Sequence, residues 1–131
     1  MADLVDASVV IAIFGREPIS AHALDVVNSG ALMSSANLVE VATWLARQGD
    51  SDQIDHLAED ANLAVVPLTE ELALAAGRIE PLTRAFGLSQ ADRCCLATAE
   101  AFDATILTTD RAWLKLPARF RDRIVSVRPD D

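Results

Sequence analysis

The chain contains no apolar run near the roughly 18 residues of a membrane-spanning helix, so no span is expected. Its start, Met1-Ala2-Asp3, is acidic and lacks the basic region that opens a signal peptide. Its only two cysteines, Cys94 and Cys95, are adjacent, which rules out a disulfide framework and gives no zinc-ligand spacing. Small apolar packing is the expected role of that pair. The two histidines, His22 and His56, have no neighbours at catalytic spacing and are expected on helix faces or the surface. Basic charge is scarce: 11 Lys and Arg stand against 20 Asp and Glu, a formal charge of −9. These absences together point to a cytoplasmic protein that works without thiol, zinc or histidine chemistry.

What the chain does have is apolar material, 51% of 131 residues, enough for one well-filled domain over residues 1–131 with some left for self-association. The charge is uneven. Residues 1–110 hold 17 acids and 5 bases, whereas residues 111–131 hold Arg111, Lys115, Arg119, Arg121, Arg123 and Arg128 against Asp122, Asp130 and Asp131. The body is therefore −12 and the tail +3. A locally basic tail can meet phosphates even on an acidic protein. A solvated surface helix and strand would give the same count.

Short β-rich runs alternate with helical periods. Strands are expected at 3–6, 31–34, 63–66, 105–108 and 124–127. Helices are expected at 7–14, 19–29, from 35 to 48, and from Thr69 to about Phe86, where Pro81 invites a break or kink. Further helices are expected at 89–102 and 110–116. The stretch 50–60 is acidic and amphipathic, with Ile54, Leu57 and Ala58 on one face. This order predicts an α/β fold with a parallel sheet covered on both faces.

Within it, Leu4-Val5-Asp6-Ala7-Ser8 places a carboxylate in a strand built for the interior. Each of four acids has a local explanation as a helix cap. Asp6 and Asp110 follow strands, Glu40 lies three residues after Asn37, and Asp92 lies three after Ser89. Their shared placement argues for more. Asp6, Glu40 and Asp110 fall at or just past the carboxyl ends of strands, a rim where open α/β sheets bind ligands. Carboxylates gathered there repel one another and raise each other's pKa. A hard divalent cation, magnesium or manganese, relieves that repulsion far better than helix N-termini do. Asp6 is thus expected in a metal pocket, with capping as a by-product. Ser8 and Thr108 are expected to orient its carboxylate or a bound water, and local backbone capping by their hydroxyls fits equally well.

Leu4-Val5-Asp6-Ala7-Ser8, Asn37-Leu38-Val39-Glu40-Val41, Leu88-Ser89-Gln90-Ala91-Asp92-Arg93 and Leu107-Thr108-Thr109-Asp110-Arg111-Ala112-Trp113 resemble, in order, the motifs of PIN domains. The nearest branch is the VapC-type toxin of bacterial toxin–antitoxin pairs, and the resemblance runs from Asp6 to about Val127. It implies a three-layer α/β/α sandwich with a central, mostly parallel sheet. It also implies a Mg2+- or Mn2+-dependent endoribonuclease in which Asp6, Glu40, Asp92 and Asp110 form an acidic quartet. In that family the metal activates a water for attack on a phosphodiester, leaving a 5′-phosphate and a 3′-hydroxyl. The partners implied are an RNA substrate, a cognate antitoxin and a second copy in a homodimer. Asp110 is the least secure direct ligand. Arg93 and Arg111 are expected in surface salt bridges, and Asp103 in a turn.

Two other functions compete. A non-catalytic PIN-like module that binds protein or RNA would keep the fold without cleavage. A magnesium-dependent phosphoacceptor or phosphatase shares the doubly wound plan. Its acidic spacings are absent around Asp3 and Asp6, however, and the one lysine, Lys115, falls in an expected helix.

Overall fold

A computed structural model describes residues 2–129; the start residue Met1 and the tail acids Asp130 and Asp131 lie outside the described residues. The strands are β1 (Asp3–Val5), β2 (Ala31–Ser34), β3 (Leu63–Val66), β4 (Thr105–Thr108) and β5 (Ile124–Ser126). They form one sheet in the order β3-β2-β1-β4-β5, and every pairing is parallel. The first strand is central, paired to β4 through Leu4 opposite Ile106 and Val5 opposite Leu107. The expectation of a parallel α/β sandwich holds.

Alternation along the strands divides the core into two layers. Val5, Met33 and Leu107 face one side, where they pack with Val9 and Val10 of α1 (Ala7–Phe14), Val26 and Val27 of α2 (Ala21–Ser29), Val41 and Leu45 of α3 (Ser35–Arg47) and Leu57 of α4 (Leu57–Asp60). Leu4, Ile106 and Ile124 face the other side. There they meet Ala76 and Ile79 of α5 (Glu70–Thr83), Cys94 to Ala97 of α6 (Gln90–Phe102), Trp113, and Phe120 of α7 (Ala118–Arg121). Both cysteines are buried in this second layer, as packing requires.

Four local features refine or add to the sequence expectations. The α5 helix continues through Pro81 to Thr83 without ending there. Pro81 lies in the last turn, so few backbone hydrogen bonds follow the one it forfeits. The acidic stretch after Gly49 is a 3-10 segment, Ser51–His56, followed by the single turn of α4. Leu57 is nonetheless buried and Ile54 half-buried, so the apolar face was legible even though the helix type was not. Residues Arg111–Lys115 are likewise 3-10 rather than α-helical. Finally, α7 was not anticipated: four residues after Pro117 are too few to show a period, and Phe120 is what anchors them.

Because all strands run the same way, their carboxyl ends share one rim. Asp6 follows β1, Ser34 ends β2 and caps α3, and Thr108 ends β4. The site is built along this rim.

Candidate active site

Asp6 is the only buried acid among the described residues, with 5% of its surface exposed. Its backbone is anchored by its own N–H, which donates to the carbonyl of Leu107 on β4. Although Asp6 occupies the N-cap position of α1, its side chain makes no cap hydrogen bond, so the expected capping by-product is not there. The carboxylate turns inward. Ser8 Oγ donates to Oδ1 at 2.5 Å, and Thr108 Oγ1 donates to Oδ2 at 3.0 Å. The same two hydroxyls accept backbone N–H groups on the loop after β4: Ser8 Oγ from Thr109 at 3.0 Å and Thr108 Oγ1 from Asp110 at 3.1 Å. Ser8 and Thr108 therefore tie Asp6 to the loop that carries Asp110.

No cation among the described residues pairs with Asp6. Burial pushes its carboxyl up from the ordinary 3.8 to about 7, and the negative charges of Asp92 and Glu40 add to the rise, against the lowering effect of the two hydroxyl donors. The charges of Asp92 and Glu40 thus both act on Asp6. Cys95 lies within reach of the same three charges; burial first, and then these acids, hold its thiol well above the usual range and leave it unreactive.

Glu40 is half-buried on α3 and is not a capping-box residue, because the helix starts earlier, at Ser34, whose Oγ accepts from Ala36 N at 3.2 Å. Its Oε1 instead accepts from Asn37 Nδ2 at 2.9 Å. Asn37 is fully buried, and its Nδ2 also reaches the carbonyl of Ala91, beside Asp92, at 3.4 Å. Its Oδ1 is buried with no hydrogen-bond partner among the described residues, a condition that costs about 1–3 kcal/mol. Asp92 completes a true capping box, accepting from Ser89 N at 2.9 Å while Ser89 Oγ accepts from Asp92 N at 3.1 Å. Asp110 is exposed and caps the 3-10 turn by accepting from Ala112 N at 3.0 Å. Its connection to Asp6 runs through Thr108.

The expected salt bridge of Arg93 is absent among the described residues; the side chain is half-buried, with Nε unpartnered. Asp103 is a turn residue as expected, left-handed at φ 49 at the end of α6, and it pairs with Arg123 at 2.9 Å. Arg119 pairs with Glu100 at 2.7 Å, so two of the tail's bases are neutralised by acids of the body. Arg111 and Arg128, the latter donating through Nε to the carbonyl of Thr109 at 2.7 Å, line an open cleft of about 520 Å³ with Thr109, Pro18 and Glu17. Thr109 joins that cleft to the Asp6 pocket through its bond to Ser8. His22 and His56 are both exposed.

The chemistry of this donor set suits a hard divalent cation. It offers a buried carboxylate lacking a counter-charge, with two further carboxylates close enough to raise its pKa. The side chains do not form a closed cage: among the described residues no three acidic, His or Cys groups are gathered tightly enough to chelate an ion as they stand. Asp92 is turned onto its own helix cap.

Acidic residues at the strand-end rim of a five-stranded parallel sandwich define a class of α/β/α domain with a carboxylate site. More narrowly, the chain belongs to the PIN domain family, whose model matches residues 4–118. The fold is also that of solved VapC toxins and their complexes. VapBC2 of Rickettsia felis, solved bound to a promoter DNA fragment, superposes with a TM-score of 0.75 at 13% identity, covering 97% of this chain and 99% of that one. Mycobacterium tuberculosis VapC20, a toxin that cleaves the sarcin-ricin loop, gives 0.71 at 18% identity, covering 98% and 100%. A toxin–antitoxin complex from Klebsiella pneumoniae gives 0.70 at 15%, covering 95% and 97%. No curated protein matches the sequence. Among the described residues no helix is long and apolar enough to cross a membrane.

Proposed function

We propose that this PIN-domain protein is a metal-dependent endoribonuclease, the toxin of a toxin–antitoxin pair. The observation that carries the reading is the buried, uncompensated Asp6 carboxylate, raised first by burial and then by the charges of Asp92 and Glu40. A fold that served only to bind a partner would gain by replacing such a group with a neutral one. Asp6, Glu40 and Asp92 would hold Mg2+ or Mn2+, with Asp110 acting beside them through Thr108. Bound there, the cation supplies a water of lowered pKa and neutralises charge on the phosphoryl oxygens.

The chain's own residues do the rest. Ser8 and Thr108 fix both oxygens of Asp6, leaving each with a second lone pair for the cation. Arg111 and Arg128, in the cleft joined to the pocket by Thr109, suit the flanking phosphates of an RNA strand. The cognate antitoxin and the homodimer are proposed on the likeness to VapBC assemblies.

The test is incubation of the purified protein with a panel of structured and single-stranded RNAs in Mg2+, Mn2+ or EDTA. Discrete cleavage with either metal, lost in EDTA, is expected, with 5′-phosphate ends on the downstream products. Cleavage that persists in EDTA would refute the metal role. RNA binding with no cleavage under any condition would favour the non-catalytic module.

A further inference from the structure

The buried amide of Asn37 is the feature that the acidic quartet does not explain. It lies in the first turn of α3, fully enclosed, and both of its donor contacts go to the site: Glu40 Oε1 at 2.9 Å and the Ala91 carbonyl at 3.4 Å. Those two targets fix which way the amide points. Turned over, its oxygen would face a carboxylate and a carbonyl, both acceptors, so only the donor end fits there. The orientation leaves Oδ1 buried and without a partner among the described residues. A native interior rarely leaves such an atom unsatisfied without a reason.

The reason is visible in what the donor end connects. Glu40 sits on α3 and Asp92 is the residue after Ala91 on α6; these are the two acids whose charges act on Asp6. One side chain therefore spans both helices that bring negative charge to the pocket. We propose that Asn37 is a positioning residue that holds the Glu40 carboxylate, and the α6 turn carrying Asp92, in place around Asp6 for a divalent cation. It touches neither cation nor substrate. Partners of this kind, which orient a ligating carboxylate, commonly alter metal affinity ten- to a hundredfold when removed. The inference rests on the cation-site reading above and goes beyond it by adding a residue outside the acidic set.

A purely structural role and a positioning role differ in what substitution does. Asn37→Leu keeps the same heavy-atom branching, deletes the donor, and also removes the orphaned carbonyl. Relief of the orphaned oxygen offsets the cost of leaving the Ala91 carbonyl without its donor, so a small net change in stability is expected. The experiment is Mn2+ titration of the full chain, followed by calorimetry or by the electron paramagnetic resonance of free Mn2+, with metal-free melting curves alongside. Wild type is expected to bind Mn2+. Asn37→Leu is expected to raise Kd tenfold or more while the metal-free melting temperature stays within a few degrees. Asn37→Ser, which restores a shorter donor, is expected to fall between the two. It also decides the matter if Asn37→Leu does not fold. Mn2+ affinities within twofold of wild type in the folded variants would overturn the proposal and leave the cation site standing. A parallel loss of melting temperature and affinity would make Asn37 structural and overturn it as well. A wild-type protein that binds no Mn2+ would remove both the proposal and the reading beneath it.

Discussion

Asp6→Asn is expected to lower metal-dependent RNA cleavage on the order of a thousandfold, because it removes the one carboxylate around which the pocket is organised. A metal acting as a Lewis acid contributes several kcal/mol to a phosphodiester transition state, and each 1.36 kcal/mol is a factor of ten in rate. The substitution is nearly isosteric, and Ser8 and Thr108 still meet an oxygen on at least one side, so the loss would come from chemistry and not from collapse of the rim. The check is a single-turnover rate for both proteins in saturating Mg2+ and again in Mn2+. A variant that cleaves at more than about a tenth of the wild-type rate would take Asp6 out of the site, by the same arithmetic.

The same carboxylate gives the second large effect, on stability without metal. In the unfolded chain Asp6 ionises near 3.8; in the folded protein burial raises it to about 7. Between those values the folded state holds a proton that the unfolded chain has already released. The contribution of Asp6 is therefore fully present below pH 3.8, declines as pH rises, and is lost above about 7. A shift of this size corresponds to about 4 kcal/mol. Other acids also titrate over this range, so the informative quantity is the difference between wild type and Asp6→Asn. In urea unfolding with EDTA present, the two are expected to be similar near pH 4, with the variant gaining up to about 4 kcal/mol by pH 8. A difference that does not change with pH would mean that Asp6 is ordinarily solvated and carries no uncompensated charge.

Both effects come from a residue visible in the sequence, but its surroundings were legible only in part. The strand at the start, the four acids in order and the alternation of elements were readable because each is encoded within a few residues. Asp3–Val5, Ala31–Ser34, Leu63–Val66 and Thr105–Thr108 fall within one residue of expectation because short β-rich runs there are bounded by capping residues and turn signals. Asp92 and Asp110 cap as their local spacing implied. Asp6 and Glu40 have equally good local spacing, yet neither caps: Asp6 is held by hydroxyls, and Glu40 takes the Asn37 side chain because its helix starts earlier, at Ser34. Thr108, which holds Asp6, is 102 residues away along the chain, and the pairing of β1 with β4 is what brings it there.

Asn37 was visible only as one end of a spurious capping box. Its second contact, 54 residues distant, could not be read from spacing at all. Nor could the position of Cys95 beneath the acids, since burial is legible from composition while a neighbour's charge is not. The charge balance of the tail shows the same limit. Its bases could be counted, but that Arg119 and Arg123 meet Glu100 and Asp103, while Arg111 and Arg128 border a cleft, depends on how the last strand pairs with β4.

The most direct measurement of the central claim, that the Asp6 pocket is a divalent-cation site, is the melting temperature at pH 8 with Mn2+ titrated against EDTA. Wild type and Asp6→Asn would be measured side by side. A ligand that binds only the folded state at a hundred times its Kd adds about 2.7 kcal/mol, and for a chain of this size that moves the transition by several degrees. The account predicts a saturable upward shift of that size in wild type and none in Asp6→Asn, whose metal-free melting temperature should already lie above that of metal-free wild type. An equal shift in both proteins, or no shift in either, would contradict it.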